Sequence, residues 1–495
     1  MPRYSDPMER LSALDAEFLH LEDGIAHMHI AGISVFEGPP PGIDELRALF
    51  ASRLHLIPRY RQRARAVPLE LGRPVWLDDP HFRLDYHVRH TALPRPGDDA
   101  RLCALMGRLM SQPLDRDRPL WEAWLVEGLS DDRWALISKI HHCMVDGVSG
   151  VDLLTILLQV DREFDLPEPE PWAPAPEPAG VARVVDAWAG AGSALVARAR
   201  SVPRMLADPA TTARALGDTI AGIAGLGRRL GATPPLSIEG PIGPHRVWAH
   251  SEVSIDDIRT IRKAFGGTLN DVVLAATAGG YRTLLEARGD DVATAVVRTL
   301  VPVSVRGADE RNITDNRVSA LLLELPIAVD DPVERLEAVR AAMTELKASH
   351  MAEAGKTVTD LAELAPPMVM GTVSRLFTRA THQITQRSVV TVTTNVPGPQ
   401  LALYCLGREM LQHLPYVPIA MSIRVGTAIL SYNGRISFGV TADLDSVPDP
   451  STLADAIPAE LDRLTRLAER TLAGAKASTA RRSRRATASS ARGRT

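Results

Sequence analysis

Two adjacent histidines, His141 and His142, are followed four residues later by Asp146 and Gly147 in the segment HHCMVDG. An imidazole with a pKa near 6.5 is suited to removing a proton from a hydroxyl as that hydroxyl attacks an acyl carbon. His142 lies nearer the following turn and is the candidate general base, with His141 holding the local geometry. Asp146 is interpreted as an anchor that pairs with an arginine, for which Arg306 is a candidate, and Gly147 permits a turn that other residues resist.

Other interpretations of the histidine pair remain open. Neighbouring residues of an extended chain point to opposite faces, so the two rings cannot easily bind one metal ion. Cys143 cannot readily present its sulfur to the adjacent ring of His142, which argues against a Cys-His dyad. Two buried structural histidines fit the motif equally well when it is taken alone. A second group of histidines consists of His81, His87 and His90 in the segment HFRLDYHVRH. A strand that happens to carry these histidines is favoured over a metal site.

The elements on either side of the pair would position it. The segment RWALISKIHH before it alternates apolar and polar residues, as a strand does, with Trp134, Leu136 and Ile140 on the buried face. The segment SGVDLLTILLQV after it is helix-like, with a capping-box start at Ser149 and Asp152. The motif therefore closes a strand and precedes a helix.

The chain of 495 residues is long enough for two or three domains. Alternating prolines in DLPEPEPWAPAPEPAG disfavour both helix and sheet and mark the boundary between two mixed α/β halves. Residues 181–232 are rich in Ala, Gly and Arg and form either a membrane-surface helix or a helical connector. The predicted domains are an N-terminal domain at 1–165, a linker and connector at 166–244, a C-terminal domain at 245–470 and a basic disordered tail at 471–495.

The second half combines both periodicities. Helices are predicted over VSIDDIRTIRKAF, begun by Ser254, and over TLNDVVLAATAGGYRTLLEARG, begun by Asn270, with Gly279-Gly280 allowing a close helix contact. The segments VRTLVPVSVR, RVSALLLELPIAV and SVVTVTTNVPGP are strand-like. Residues 428–443 carry a hairpin pattern around Asn433-Gly434.

Composition excludes several classes. The chain has a net charge of −4, and without the seven basic residues of the last 21 positions the remainder has −11, which is unsuited to nucleic-acid binding. Three cysteines without a CxxC motif fit a reducing compartment. We expect no secretion signal, because acidic residues occupy the start of the chain, and no spanning helix, so that any membrane contact would be peripheral.

The motif HHCMVDG, together with PLDRDRPLWEAWLVEGL at 113–129, resembles the bacterial wax ester synthase/diacylglycerol acyltransferase family. The segments RLSALDAEFL, TLNDVVLA, LVPVSVR, TNVPGP and LSYNGRISFGVTAD follow the same family's plan in order, over roughly residues 8–470. The resemblance implies an α/β (mixed α+β) fold of two chloramphenicol-acetyltransferase-like domains, with an active-site tunnel between them.

The resemblance also implies an activity. Family members transfer a fatty acyl group from acyl-coenzyme A to diacylglycerol or a long-chain alcohol, with acyl-CoA as co-substrate and without a metal or other cofactor. The implied partners are these lipids and a membrane or lipid-droplet surface, contacted peripherally from the cytoplasm, and not nucleic acid. We expect triacylglycerol to be the main product and wax ester a side product.

Residue by residue, the resemblance assigns His142 as general base, His141 as its neighbour, and Asp146 and Gly147 as the structural end of the motif. Asn270 matches the family's Asn-Asp pair and would either cap its helix or donate a hydrogen bond to the developing oxyanion. Pro119, Leu120 and Trp121 match the family's PLW block, for which a packing role is favoured. Asp271 is the second member of the Asn-Asp pair. Asn395, Pro397, Gly398 and Pro399 match a Gly/Pro turn of the family.

Two other functions are consistent with parts of the sequence. Relatives of the fold that form amides or polyketide esters share HHxxxDG, although no carrier-protein domain accompanies the motif here. A lipid-binding protein that retains the fold without the chemistry is the third interpretation, and the intact His142 and Asp146 argue against it.

Overall fold

The structure of the protein is a computed structural model that describes residues 9–68, 72–144, 156–180, 183, 235–304, 318–348 and 389–492. Within these ranges the strands form two six-stranded sheets and one two-stranded sheet, and helices pack against the larger sheets. The predicted mixed α/β class is confirmed.

The first half contains six strands and four helices in the described residues. Short 3₁₀ helices cover Leu54–Leu56, Pro58–Arg61 and His142–Met144. The strands are β1 His29–Glu37, β2 Gln62–Arg65, β3 Val75–Asp78, β4 Val88–Ala92, β5 Trp121–Leu129 and β6 Arg133–His141, and the helices are α1 Ala13–Leu21, α2 Ile43–Arg53, α3 Leu84–His87 and α4 Asp99–Met110.

The described part of the second half adds eight strands and four helices. The strands are β7 Arg246–Ser254, β8 Val297–Ser304, β9 Val318–Leu325, β10 Thr391–Pro397, β11 Tyr404–Cys405, β12 Arg408–Tyr416, β13 Val425–Tyr432 and β14 Arg435–Asp443. The helices are α5 Ile255–Phe265, α6 Leu269–Arg288, α7 Pro332–Ala348 and α8 Pro450–Arg492.

Strand β6 lies inside the first sheet, whose strand order is β11-β12-β1-β6-β5-β4. Trp134, Leu136 and Ile140 pack in one apolar cluster, as predicted, while Ala135 and Ile137 pack in a second cluster with α4. Both faces of β6 are therefore covered, and its last residue ends inside the protein rather than at an open edge.

The second sheet has the order β7-β14-β13-β10-β8-β9. The predicted hairpin is confirmed: β13 and β14 pair antiparallel, and Asn433 and Gly434 both have positive φ in the turn between them. The predicted Ser254 cap is also confirmed, since its hydroxyl accepts a hydrogen bond from the Asp256 backbone N–H at 3.2 Å.

The two glycines of α6 allow close packing against α8, as predicted. A Cβ atom on Gly279 would lie 2.6 Å from Cγ of Glu460, and one on Gly280 would lie 2.7 Å from Cδ1 of Leu453. A side chain at either position would require the neighbouring side chains of α7 or α8, such as Arg335, Glu460 and Leu453, to move. The two glycines therefore suit the close contact that α6 makes.

The predicted domain boundary at 245 does not separate the two sheets completely. Strands β11 and β12 belong to the second half of the sequence, yet β12 pairs antiparallel with β1 and β11 forms one edge of the first sheet. The strand neighbour that a segment takes depends on tertiary packing, which local sequence patterns do not encode. The two halves therefore share a sheet.

The tail also differs from the prediction. Instead of a disordered segment from 471, the structure continues α8 as a helix to Arg492. After Gly474 the segment is dominated by Ala, Arg and Ser with no proline or glycine before residue 493, and alanine and arginine rank among the best helix formers. A basic segment of this kind is often disordered, but the high helix propensity of its alanines and arginines favours a helix.

The proline-rich spacer lies along the first half. The Ala175 backbone N–H donates to Asp78 at 3.0 Å, and the Glu177 carboxylate accepts a hydrogen bond from Arg63 at 2.7 Å. The Arg61 guanidinium lies 5.0 Å from the centre of the Trp172 ring. The predicted helix at 149–160 and the connector at 181–232 lie almost wholly outside the described residues.

Candidate functional site

The histidine pair occupies the junction between β6 and the 3₁₀ turn His142–Met144. His141 is the last residue of β6 and pairs with His29 of β1, while the backbone N–H of His142 donates to the Met28 carbonyl at 2.8 Å. His141 is completely buried and His142 is partly exposed. As expected for adjacent residues at a strand end, the two rings occupy different environments.

The His142 ring lies against α1. It stacks on Phe18 with 4.0 Å between the ring centroids. Burial lowers the pKa of His142 to about 4. At neutral pH the imidazole is therefore unprotonated, which is the form that can accept a proton from a hydroxyl.

The His141 ring has a defined tautomer. Its Nδ1 accepts a hydrogen bond from the Cys143 backbone N–H at 3.1 Å, so the ring proton resides on Nε2. Nε2 lies 3.7 Å from Oε2 of Glu22. The Nδ1 contact closes the turn that carries His142.

Glu22 is a functional candidate that the sequence interpretation missed. Its side chain is 7% exposed, and Oε1 lies 3.2 Å from Nε2 of His29. Arg116 donates to Oε2 from Nε at 2.9 Å and from a terminal nitrogen at 2.6 Å. Burial by itself would raise the pKa of Glu22, but the neighbouring His141 and His29 rings and the hydrogen-bonded Arg116 guanidinium hold it well below its usual value.

A signal for this cluster exists in the sequence. His27 and His29 are two residues apart, and on a strand that spacing places both rings on one face. Their rings are indeed stacked, with centroids 5.4 Å apart. Glu22 precedes His27 by five residues in the sequence, but only the pairing of β1 with β6 brings it to His141.

Two residues of the motif, Asp146 and Gly147, lie outside the described residues, as does the candidate partner Arg306. Their predicted roles remain predictions.

The PLW block packs beneath the histidine pair. Pro119, Leu120 and Trp121 are buried, and the Leu120 carbonyl accepts a hydrogen bond from the His141 backbone N–H at 2.9 Å. The Trp121 indole N–H donates to the Tyr60 carbonyl at 2.8 Å. This arrangement corresponds to a packing role, because the block supports β6 from the adjacent strand β5.

Asn270 does not begin α6, which corrects the prediction that it caps this helix. The N-cap is Thr268, whose hydroxyl accepts from the Asp271 backbone N–H at 3.2 Å while the Asp271 carboxylate accepts from the Thr268 backbone N–H at 2.7 Å. Asp271 is therefore part of a capping box. Asn270 instead accepts a hydrogen bond through Oδ1 from Nδ2 of Asn395 at 2.9 Å.

The Gly/Pro turn follows Asn395 at the end of β10. Pro397 is exposed, and a Cβ atom on Gly398 would lie 2.1 Å from the Ser431 carbonyl oxygen, so no side chain fits there. The turn and the Asn pair belong to the second half of the chain. Among the described residues no hydrogen bond joins Asn270 or Asn395 to His141 or His142. The asparagines and the histidines are carried by separate elements.

The second histidine group is dispersed. His90 lies in β4 and pairs with Glu127 at 2.9 Å, whereas His87 is buried, stacks on Trp121 and contacts the Trp121 carbonyl through Nδ1 at 2.8 Å. His81 lies in a turn, so the predicted continuous strand begins only at Val88. Within the described ranges no three His, Cys, Asp or Glu side chains are arranged to hold a metal ion.

Comparison with known proteins decides the family. The model of the wax ester synthase/diacylglycerol acyltransferase catalytic domain matches residues 11–273, and that of the WS/DGAT C-terminal domain matches residues 314–465. The chain belongs to the WS/DGAT family. It is therefore an acyltransferase by family, as the resemblance implied.

Full-length WS/DGAT relatives support this assignment. The chain is 37% identical over 466 residues to the Mycobacterium tuberculosis protein named "Probable diacyglycerol O-acyltransferase tgs1", covering 94% of this chain and 97% of the relative. A second Mycobacterium tuberculosis protein, "Putative diacyglycerol O-acyltransferase Rv3371", is 32% identical over 472 residues, with 93% of this chain and 92% of the relative covered.

Solved structures confirm the architecture. The wax ester synthase/diacylglycerol acyltransferase from Marinobacter aquaeolei VT8 superposes with a TM-score of 0.66 at 25% identity, covering 93% of this chain and all of that one. The first condensation domain of the calcium-dependent antibiotic synthetase has a TM-score of 0.58 at 17% identity, covering 94% and 97% of the two chains, and shares the fold. None of the helices in the described part of this WS/DGAT member is long and apolar enough to cross a membrane.

Proposed function

We propose that this WS/DGAT member transfers a fatty acyl group from acyl-coenzyme A to the free hydroxyl of diacylglycerol, giving triacylglycerol and coenzyme A. The observation that carries the proposal is the His142 ring, which is kept unprotonated by burial and stacked on Phe18 at the end of β6. Membership of the family supplies the reaction class. The names of the mycobacterial relatives support diacylglycerol as the acceptor.

One base is sufficient for this reaction because a thioester is already an activated acyl donor. In the proposed mechanism His142 removes the proton of the acceptor hydroxyl as its oxygen bonds to the thioester carbon. Nδ1 of His142 is buried, so the proposal assigns Nε2 to the substrate. The tetrahedral intermediate then expels the coenzyme A thiolate, which takes the proton back from the imidazolium, so that His142 returns to its starting form.

We assign stabilisation of the oxyanion to Asn270. Its Oδ1 is engaged by Asn395, which orients the amide so that Nδ2 is the end available to donate. An amide donor aimed at the developing negative charge lowers the barrier by amounts that correspond to about 10²–10³ in rate. Positioning of the two lipid chains supplies part of the remainder.

A product assay tests the function. The purified protein is incubated with radiolabelled oleoyl-coenzyme A and either diolein or hexadecanol, and the lipids are separated by thin-layer chromatography. We expect label in triacylglycerol and a smaller amount in wax ester. Wax ester alone would identify long-chain alcohols as the acceptor, and absence of both products from folded protein would contradict the proposal.

We further propose that the protein works at the cytoplasmic surface of a membrane or lipid droplet, held there peripherally. The lipid acceptor resides in such surfaces, and α8 ends in a basic segment that contains Arg481, Arg482, Arg484 and Arg485. Basic residues near an anionic surface contribute about 1 kcal/mol each to binding. Replacing the four arginines by glutamine should reduce co-sedimentation with vesicles containing phosphatidylserine, and equal sedimentation of both proteins would contradict this assignment.

A further inference from the structure

Helix α1 and the residue that follows it contact both histidines of the pair. Phe18, in the last turns of α1, stacks on the His142 ring, and Glu22, directly after α1, faces Nε2 of His141. One element therefore reaches both rings, from a segment more than 100 residues away in sequence.

Arg116 fixes the end of this element. One of its terminal nitrogens donates to the Leu19 carbonyl at 2.8 Å and to Oε2 of Glu22 at 2.6 Å. The same guanidinium thus holds the last turn of α1 and the Glu22 carboxylate. About half of the Arg116 side chain is exposed, whereas Glu22 is 7% exposed, so the pair is open to solvent on the arginine side only.

Two further cations interact with Glu22 or with its neighbour His27, and both are hydrogen-bonded elsewhere. Lys139 donates to the carbonyls of Leu109 and Gln112 at 2.9 and 2.5 Å, and Arg246 donates to those of Gly243 and Ile25 at 2.6 and 2.8 Å. Arg116 is therefore the cation that hydrogen-bonds the carboxylate in the described structure. The charged or titratable groups that interact with Glu22 are His27, His29, Arg116, Lys139 and His141, and His27 in turn interacts with Asp23 and Arg246.

The protonation of His141 decides whether its turn can form. Nδ1 can accept from the Cys143 backbone N–H only when it carries no proton, which requires the proton to be on Nε2. A carboxylate beside Nε2 favours that tautomer, as carboxylates do for histidines at catalytic and metal sites. A proton on Nδ1 would instead place two donors against each other and open the turn that holds His142.

We propose that Glu22, held by Arg116, is a positioning residue that selects the Nε2–H tautomer of His141 and thereby fixes the 3₁₀ turn that presents His142. This inference deepens the proposed function, because it explains how the proposed base is kept in place. Glu22 acts through His141 and does not touch the reacting atoms.

The variants that test the proposal are Glu22→Leu, Glu22→Gln and Arg116→Gln. Leucine removes the oxygen that lies 3.7 Å from Nε2 of His141, whereas the side-chain carbonyl of glutamine keeps an oxygen at that place. Arg116→Gln removes the guanidinium and leaves the carboxylate in place. The matched control is Arg259→Gln, which breaks an exposed arginine–carboxylate pair of similar length, 2.7 Å, in the second half of the protein.

The first readout does not depend on activity. Long-range ¹H–¹⁵N spectra of ¹⁵N-histidine-labelled protein report which ring nitrogen carries the proton, and the His141 signals are assigned by their loss in His141→Gln. We expect the Nε2–H tautomer in the wild type, Glu22→Gln and the control. Glu22→Leu should convert His141 to the Nδ1–H form or to a mixture of the two tautomers. Arg116→Gln should have a fraction of Nε2–H tautomer between those of the wild type and Glu22→Leu.

The second readout is steady-state kinetics of acyl transfer. Loss of a group that orients a functional histidine typically costs about 10- to 100-fold in activity. We expect a loss of that size in kcat for Glu22→Leu, with KM for acyl-CoA nearly unchanged, a kcat for Glu22→Gln within a few fold of wild type, and no change in the control.

An unchanged His141 tautomer in Glu22→Leu would overturn the proposal, as would a kcat equal to that of an active wild type. If Glu22→Leu does not fold, Arg116→Gln decides by the same two criteria. Failure of the proposed function gives a different result. The wild-type protein would then show no acyl transfer, whereas the His141 tautomer, and its change in Glu22→Leu, could still be measured by NMR.

Discussion

The Phe18 ring stacks on the His142 ring with 4.0 Å between centroids and 25° between planes. Phe18 belongs to α1, near the start of the chain, and His142 begins the turn after β6. The contact restricts rotation of the imidazole and shields one of its faces from water. The proposed base is thus oriented by an element that lies far from it in sequence.

Replacing Phe18 by alanine should lower kcat by about 10- to 100-fold, because small displacements of a catalytic group can cost up to about 10² in rate. Phe18→Tyr keeps the ring and is expected to retain most of the activity. Acyl transfer is measured for both variants after circular dichroism has shown that they are folded. Equal kcat values for Phe18→Ala and wild type would mean that the stacking does not orient the base.

The pH dependence should reflect the lowered pKa of His142. The base must be unprotonated to act, so activity is lost as pH falls through its pKa of about 4. We expect kcat/KM to be level from about pH 8 down to about pH 5.5 and to fall only below that. A midpoint near 6.5, the value of an exposed histidine, would show that the ring is solvated in the free enzyme.

The Asn270–Asn395 hydrogen bond predicts non-additive effects. Asn270→Ala removes the proposed oxyanion donor and should lower kcat by about 10²- to 10³-fold, while Asn395→Ala removes only its support and should cost about tenfold. Because both changes act on one interaction, the double variant should resemble Asn270→Ala. Thr394→Val, whose side chain is on the opposite face of β10, is the control, and fully additive losses would refute the coupling.

Buried histidines should make the stability fall in mild acid. Burial lowers the pKa of His87 to about 4, as it does for His413, whereas an unfolded histidine titrates near 6.5. Between these values the unfolded chain binds more protons, so stability is lost as pH decreases from about 6.5 to about 4. His87→Asn keeps a donor for the Trp121 carbonyl without titrating, and its Tm should depend less steeply on pH than that of the wild type. Identical slopes would contradict this.

Local patterns were sufficient for much of the fold. The strand β6, the Asn433-Gly434 hairpin and the Ser254 cap each depend on a few consecutive residues, and all three are present in the structure, although β6 is buried on both faces rather than on alternate positions. The helix cap at 268–271 was displaced by two residues, because a threonine and an aspartate formed the capping box in preference to a single asparagine.

The parts of the site that the sequence did not predict depend on pairing between distant segments. Glu22 reaches His141 only because β1 pairs with β6 in the register that sets His29 opposite His141. Asn395 reaches Asn270 across 125 positions of sequence, because the start of α6 lies beside the end of β10. No local periodicity encodes such contacts. A sequence therefore identifies the candidate base more readily than the residues that hold it.

The most direct measurement is the rate of coenzyme A release from oleoyl-coenzyme A in the presence of diolein for wild type, His142→Ala and His90→Gln. His90 is an exposed histidine of β4 that pairs with Glu127 and has no proposed role in the chemistry. Removing a general base typically lowers the rate by about 10²–10⁴. We predict a loss in this range for folded His142→Ala and an unchanged rate for His90→Gln. A rate of coenzyme A release by His142→Ala equal to that of the wild type would contradict the assignment of His142 as the base.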